Sequence, residues 1–336
     1  MSRRFFSPVW VAIGCTLLSL AIPLAATPYI LKVLIMSGIY IGLAASLNLI
    51  FGVAGQISLG HAAFYGIGAY TASLLAVQFH LPYLLCLIAG ALAAAFIGYL
   101  LAIPTIRLKG IYLAVTTLAF GEIMRLIFLN WISVTRGPMG ITGIPAPSVF
   151  GFTFATNTSQ YYLMLCLIVP ILFVLWRLSY SPFGMTLRAI RENEDASRTL
   201  GVDAQMYKTK AFMIGAGVAG LLGGFFSFHA AYIHPDNFAF MESITLLAMV
   251  VVGGMGSLPG VFVGALLLAL APDALRFLVE YRMVFYGLLL LLMILLRPQG
   301  LISESASISW VMGQRSSTPG NRDEAHVTEE IISEGR

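Results

Sequence analysis

Charge is scarce in this chain: lysine, arginine, aspartate and glutamate make up 10% of its 336 residues, against a hydrophobic share of 59% and a mean hydropathy of +0.89. So little polar surface cannot cover a water-soluble core, and the composition places the chain in the polytopic membrane class. Cysteine is nearly absent. Cys15, Cys86 and Cys166 each lie inside an apolar run at no metal-ligand spacing, so no disulfide framework is implied and all three read as small buried hydrophobes. Two motifs are missing altogether. Without G-x-x-x-x-G-K-[ST] the chain has no glycine-rich loop and lysine to cradle nucleotide phosphates, and without H-E-x-x-H it has no helical two-histidine metal spacing. No Ser, His and Asp can be argued to converge, so an intramembrane enzyme finds no support and no bound cofactor or metal is expected. Deep acids are also lacking, since Glu122 is the one carboxylate placed well inside a span. An ion-coupled secondary transporter, which needs several intramembrane carboxylates or histidines, is therefore the weaker alternative.

What is present is a series of apolar runs at roughly 9–29, 33–51, 62–79, 83–103, 110–131, 161–178, 209–232, 240–253, 258–272 and 283–297. They predict an all-α polytopic fold of about ten transmembrane segments, some short or broken, with 240–253 short enough to be a half-crossing. The opening MSRRFF and its apolar run read as an uncleaved first helix, because further spans follow directly. With that end cytoplasmic, eleven loop lysines and arginines fall inside (3, 4, 107, 109, 177, 188, 191, 198, 208, 210, 297) and four outside (32, 136, 276, 282). This asymmetry sets the orientation and explains a formal charge of +4 without nucleic acid. The expected domains are a transmembrane unit over 1–300 with a cytoplasmic loop at 181–208, then a disordered cytoplasmic tail over 301–336, rich in Ser, Gly and charge.

Nine of the chain's charges fall between Arg188 and Lys210. Ser181-Pro182-Phe183-Gly184 breaks the preceding helix, and Met185, Leu187, Ile190 and Leu200 then recur among the charges, as in a short amphipathic helix ending at Gly201. Charges of both signs suit a protein partner better than anionic lipid. An ordinary solvated loop helix is the plainer alternative.

Inside the membrane, Glu122 and Arg125 share one helical face three residues apart, either as a clamp between helices or as part of a route. The stretch "FGVAGQISLGHAAFYGIGAY" carries Gly55, Gln56, Ser58, Gly60 and His61 between the second and third spans. Such a run gives either tight helix packing or an unwound segment whose free amides after Ser58 face a carboxylate. "GGMGSLPGVFVGALL", with Gly254 and Ser257, repeats the Gly, Ser-Leu, Gly order six spans later, which suits a parallel repeat. The long loop 133–160 is assigned to the outer face, and His234-Pro235-Asp236-Asn237 either joins that surface or, the plainer alternative, is an ordinary turn.

"SLNLIFGVAGQISLGHAAFYGIGAY", "GIYLAVTTLAFGEIMRLIFLNW", "TRGPMGITGIP", "RAIRENEDASRTLGVDAQMYKTKAF" and "MVVVGGMGSLPGVFVGALL", in this order over about residues 35 to 300, resemble the LivM-type permease subunits of branched-chain amino acid ABC transporters. The resemblance implies an importer subunit of a bacterial inner membrane that moves branched-chain amino acids by alternating access, or else urea, amides or other amino acids. It implies that Arg188, Ala189, Ile190, Arg191, Glu192, Asn193 and Gly201 form the element gripped by a separate ATPase. The implied partners are two ATP-binding subunits using ATP and Mg, a second LivH-type permease, and a periplasmic or lipid-anchored binding protein. Gly55, Gln56, Ser58, Gly60, His61, Glu122, Arg125, Gly254 and Ser257 are the expected translocation path.

Overall fold

The computed structural model describes residues 23, 27–105, 108, 110–149, 151–274, 287, 288, 291, 295 and 300–305, the side chains of 272–274 excepted. The expected spans 9–29 and 283–297, Cys15 and the tail from 306 lie largely or wholly outside them.

Eight of the predicted spans appear as helices: α1 (Pro28–Asn48), α2 (His61–Phe79), α3 (Tyr83–Thr105), α4 (Ile111–Asn130), then a four-residue α5 (Ile132–Thr135), α6 (Asn157–Ser179), the loop helices α7 (Pro182–Glu192) and α8 (Glu194–Thr199), α9 (Ala204–Ala230), α10 (Phe240–Gly253) and α11 (Leu258–Ala274). Seven stretches among the described residues are long and apolar enough to cross a membrane, and the chain is an all-α multi-pass membrane protein. α1 continues into a π-helical turn at Leu49–Val53. The short run 240–253 is a helix of 14 residues, about 21 Å at the α-helical rise, and a 3₁₀ turn at Pro235–Phe238 extends it to a 19-residue apolar stretch.

The centre of the bundle is built on small residues. A Cβ on Gly68 would overlap the Gly220 backbone, one on Gly220 the Ala94 methyl, and one on Gly223 the Tyr65 carbonyl. Close backbone approach through Gly and Ala is the usual means of helix association where lipid removes the hydrophobic drive. At these positions the backbones of α2, α3 and α9 come close together, and α1 closes the core through Gly38 on Met164 and Gly42 on Leu222. α3, α4 and α6 instead turn apolar side chains outward, Leu92, Phe96, Tyr112 and Phe173 among them, as helices facing lipid or another membrane subunit do. Cys166 is one such position. It is exposed on α6, which corrects the expectation of three buried cysteines, whereas Cys86 is buried.

At the end of the bundle away from residues 188–210, Ile141–Thr142 (β1) pairs with Tyr232–Ile233 (β4), and Ser148–Val149 (β2) with Phe152–Thr153 (β3). Ile141 and Ile233 are buried, and His234 Nε2 donates to the Pro138 carbonyl at 3.0 Å. The segment 234–237 thus joins the surface made by loop 133–160, as a 3₁₀ turn.

Candidate functional site

Pro182 opens α7 at a position where a missing N–H costs nothing. The single helix expected over 185–200 is in fact two. Asn193 takes an extended conformation and its Oδ1 accepts from Ala196 N at 2.9 Å, capping α8, so the residue that ends one helix starts the next. Gly201, at φ +83°, then closes α8. On α7 the faces divide sharply. Leu187, Arg188 and Ile190 are buried, Arg191 is half-buried, and Ala189, Glu192, Asn193 and Gly201 are exposed.

The buried arginine is no accident of packing. Arg188 Nε donates to Glu304 Oε1 at 2.6 Å and a second N–H to the Gly256 carbonyl at 3.3 Å. A third goes to the Ser179 carbonyl, and the guanidinium lies 5.3 Å over the Tyr180 ring. Arg191 donates to Glu304 Oε2 at 2.6 Å, to Glu192 at 3.2 Å and to the Gly52 carbonyl. Burial alone would lower the Arg191 pKa, but the bonds and charge of Glu304 and Glu192 outweigh it and hold the group above its ordinary value. Both cations are therefore paired and multiply hydrogen-bonded, the condition under which a buried charge is tolerated.

Through these side chains α7 grips both glycine-rich turns. The turns also touch each other, since Gly256 N donates to Asn48 Oδ1 at 2.8 Å. A Cβ on Gly52 would meet both Asn48 Oδ1 and Gly256 N, and one on Gly256, at φ +79°, would meet the Glu304 carboxylate. Gly55, at φ +69°, lies against the Arg191 stem. The two glycine-rich turns therefore meet at Gly52 and Gly256.

Between Gly55 and His61 the chain is unwound, as one sequence reading proposed. Several of its amides are already taken, however. Leu59 N donates to Thr117 Oγ1 at 3.0 Å, Ala62 N to Ser243 Oγ at 3.0 Å and Ala63 N to the Gly60 carbonyl at 3.0 Å. The neighbouring hydroxyls thus occupy groups that the sequence offered to a carboxylate. Gln56, Ser58 and His61 are all buried, and His61 Nε2 meets Ser46 Oγ at 2.8 Å. Gln56 Oε1, Ser58 Oγ, His61 Nδ1 and Asn48 Nδ2 have no hydrogen-bond partner among the described residues. They are the polar atoms here still able to bind something. In the second turn, Ser257 Oγ accepts from Gly260 N at 3.2 Å and caps α11, while Gly254, at φ +115°, packs against Gly300.

Glu122 and Arg125 belong elsewhere. Their ion pair closes at 2.9 Å, and Arg125 reaches Asp236 at 3.2 Å in the 3₁₀ turn beyond α9. Arg125 stands five residues, about 7.5 Å of helix, from the α4 end at Asn130. The expected path residues thus fall into two groups, which meet where Gly60 packs against Gly121, the neighbour of Glu122. Sequence reasoning missed Glu304, Asn48, Ser46, Thr117 and Ser243, all of them single polar residues with no local pattern to mark them.

A family model described as branched-chain amino acid transport system / permease component matches residues 29–294. The chain is 40% identical over 290 residues to the high-affinity branched-chain amino acid transport system permease protein LivM of Salmonella typhimurium, covering 80% of this chain and 68% of that protein. Against LivM of Escherichia coli it is 37% identical over 313 residues, 86% and 74% of the two chains. LivH of Salmonella typhimurium, from the same kind of transport system, is 26% identical over 289 residues, 78% and 91%. No solved structure matches.

Proposed function

This chain belongs to the branched-chain amino acid transport permease family, and on that premise we propose that it is the LivM-type membrane subunit of an ATP-driven importer carrying branched-chain amino acids by alternating access. Hydrolysis is assigned to two separate ATP-binding subunits with ATP and Mg. A LivH-type permease completes the pore, and a periplasmic or lipid-anchored binding protein delivers the substrate. The membrane is the bacterial inner membrane, with the α7 end and both termini in the cytoplasm.

The observation that carries this reading is the two-faced character of α7. One face is tied by Arg188 and Arg191 to both glycine turns, while Ala189, Glu192 and Asn193 on the other edge are exposed. A helix so placed passes a push from a partner directly into the bundle. We assign the route to the cleft that the chain shares with its permease partner, with Gly55, Gln56, Ser58, Gly60, His61, Gly254 and Ser257 near its cytoplasmic end and Glu122 with Arg125 toward the outer end. Moving the two turns changes the first group, and parting Arg125 from Asp236 changes the second. Alternating access requires that these changes alternate. An apolar side chain and a zwitterionic head suit walls of this kind, glycine backbone and a few buried polar atoms among aliphatic residues.

Uptake of labelled leucine into vesicles holding the full complex, with and without ATP inside, tests the proposal. ATP-dependent uptake that an ion gradient cannot replace is expected. Uptake driven by a gradient in the absence of the ATPase subunits would overturn it.

A further inference from the structure

We propose that Glu304 is a positioning residue of the coupling machinery, its carboxylate holding Arg188 and Arg191 in register so that any displacement of α7 moves both glycine turns together. The inference rests on the reading that an ATPase subunit grips α7.

The geometry points to it in three ways. First, the two arginines stand three residues apart, on one face of a helix where two bare guanidiniums would repel. One carboxylate lies between them, Oε1 on Arg188 and Oε2 on Arg191, each at 2.6 Å. Second, each arginine also donates to a different turn: Arg191 to the Gly52 carbonyl of the first, Arg188 to the Gly256 carbonyl of the second. Without Glu304 the two links would act separately, and a push on α7 could move one turn while the other lagged. Third, Glu304 is itself fixed to the bundle. Leu301 N donates to the Val252 carbonyl at 2.9 Å and Ile302 N to the Gly253 carbonyl at 3.1 Å, so the segment continues the end of α10. Gly300, at φ +75°, packs on Gly254, and no Cβ fits there. The carboxylate is thus the meeting point of α7, both turns and the stretch after the last span. The polar composition beyond residue 300, which marks a tail, hides a residue that works inside the folded unit.

The test measures ATP hydrolysed per leucine imported by the full complex in vesicles, for wild type, Glu304→Gln, Glu304→Asp and Glu192→Arg, each normalised to assembled complex. In Glu304→Gln the ratio should rise about tenfold, the scale of a lost coupling energy between sites, with ATPase subunits still bound, and Glu304→Asp should recover part of it. A wild-type ratio in Glu304→Gln would overturn the proposal. So would a parallel fall in uptake and hydrolysis at constant ratio, because that marks a residue that only stabilises the fold. Glu192→Arg reports on the underlying reading separately: it should weaken co-purification of the ATPase subunits, and normal co-purification with normal uptake would remove the grip on α7 whatever Glu304 does.

Discussion

The chain holds two arginine–carboxylate clusters, one at each end of its bundle, and they differ in burial more than in chemistry. At the α7 end, Arg188 is 8% exposed and Glu304 18%, and the arginine also donates to the Ser179 and Gly256 carbonyls. At the far end, Arg125 is 24% exposed, Glu122 40% and Asp236 65%. Asp236, in the outer turn, brings the far cluster toward water, where screening weakens an ion pair, whereas at the α7 end desolvation forbids an unpaired charge. For a carrier this asymmetry is useful. A rigid cluster transmits displacement, and a soft one opens and closes at little cost.

The largest effect that would sharpen this contrast is expected from Arg188→Met. Removing a buried cation leaves the Ser179 and Gly256 carbonyls without their donor and half-frees the Glu304 carboxylate, a loss of about 3 kcal/mol or more. The thermal midpoint of the purified complex in detergent should fall clearly. A midpoint equal to that of wild type would mean that the inner cluster is as loose as the outer one, and the comparison would collapse.

Next in size is a pair of glycine substitutions. Gly256, at φ +79°, has the Glu304 carboxylate in the place of a Cβ, whereas Gly143, at φ +74° in the far-end loop, has nothing within 4 Å. Both alanine variants suffer the left-handed backbone, about 1 kcal/mol, and only Gly256→Ala adds an overlap that pushes Glu304 off its arginines. Gly256→Ala should therefore lower the thermal midpoint and raise ATP consumed per substrate, while Gly143→Ala lowers the midpoint slightly and leaves the ratio alone. Equal effects on the ratio would show that the glycines matter for backbone conformation alone.

Much of this architecture was legible beforehand. Eight spans could be placed within a few residues because twenty or so apolar residues in a row have few other solutions, and the break at Ser181-Pro182 announced α7. The glycine turns were visible as composition. Their contact was not, because it depends on Asn48, a lone polar residue at the end of an apolar helix, meeting an amide 208 positions away. Direction was equally hidden. Periodicity marked 185–200 as amphipathic, yet nothing in it said that Arg188 would be the buried residue and Ala189 the exposed one, since a long arginine counts as polar in any pattern. Glu122 and Arg125 were paired correctly from their spacing, but Asp236 reaches Arg125 from 111 positions away, which spacing could not reveal.

The smallest effect is expected at Asp236, and it probes the soft side of the comparison. In Asp236→Asn, Arg125 keeps Glu122 at 2.9 Å, so no charge is stranded. An exposed pair of this kind contributes less than about 1 kcal/mol, and uptake should stay within a few-fold of wild type. Salt offers an independent check, because the Debye length shrinks to about 3 Å at 1 M, comparable to the 3.2 Å between Arg125 and Asp236. High salt should thus bring the wild type toward the variant and leave the variant nearly unchanged. Loss of uptake in Asp236→Asn at an unaltered thermal midpoint would contradict this picture. It would make the Arg125–Asp236 contact a required step of the cycle, and the far end would then need a firmness that its exposure does not suggest.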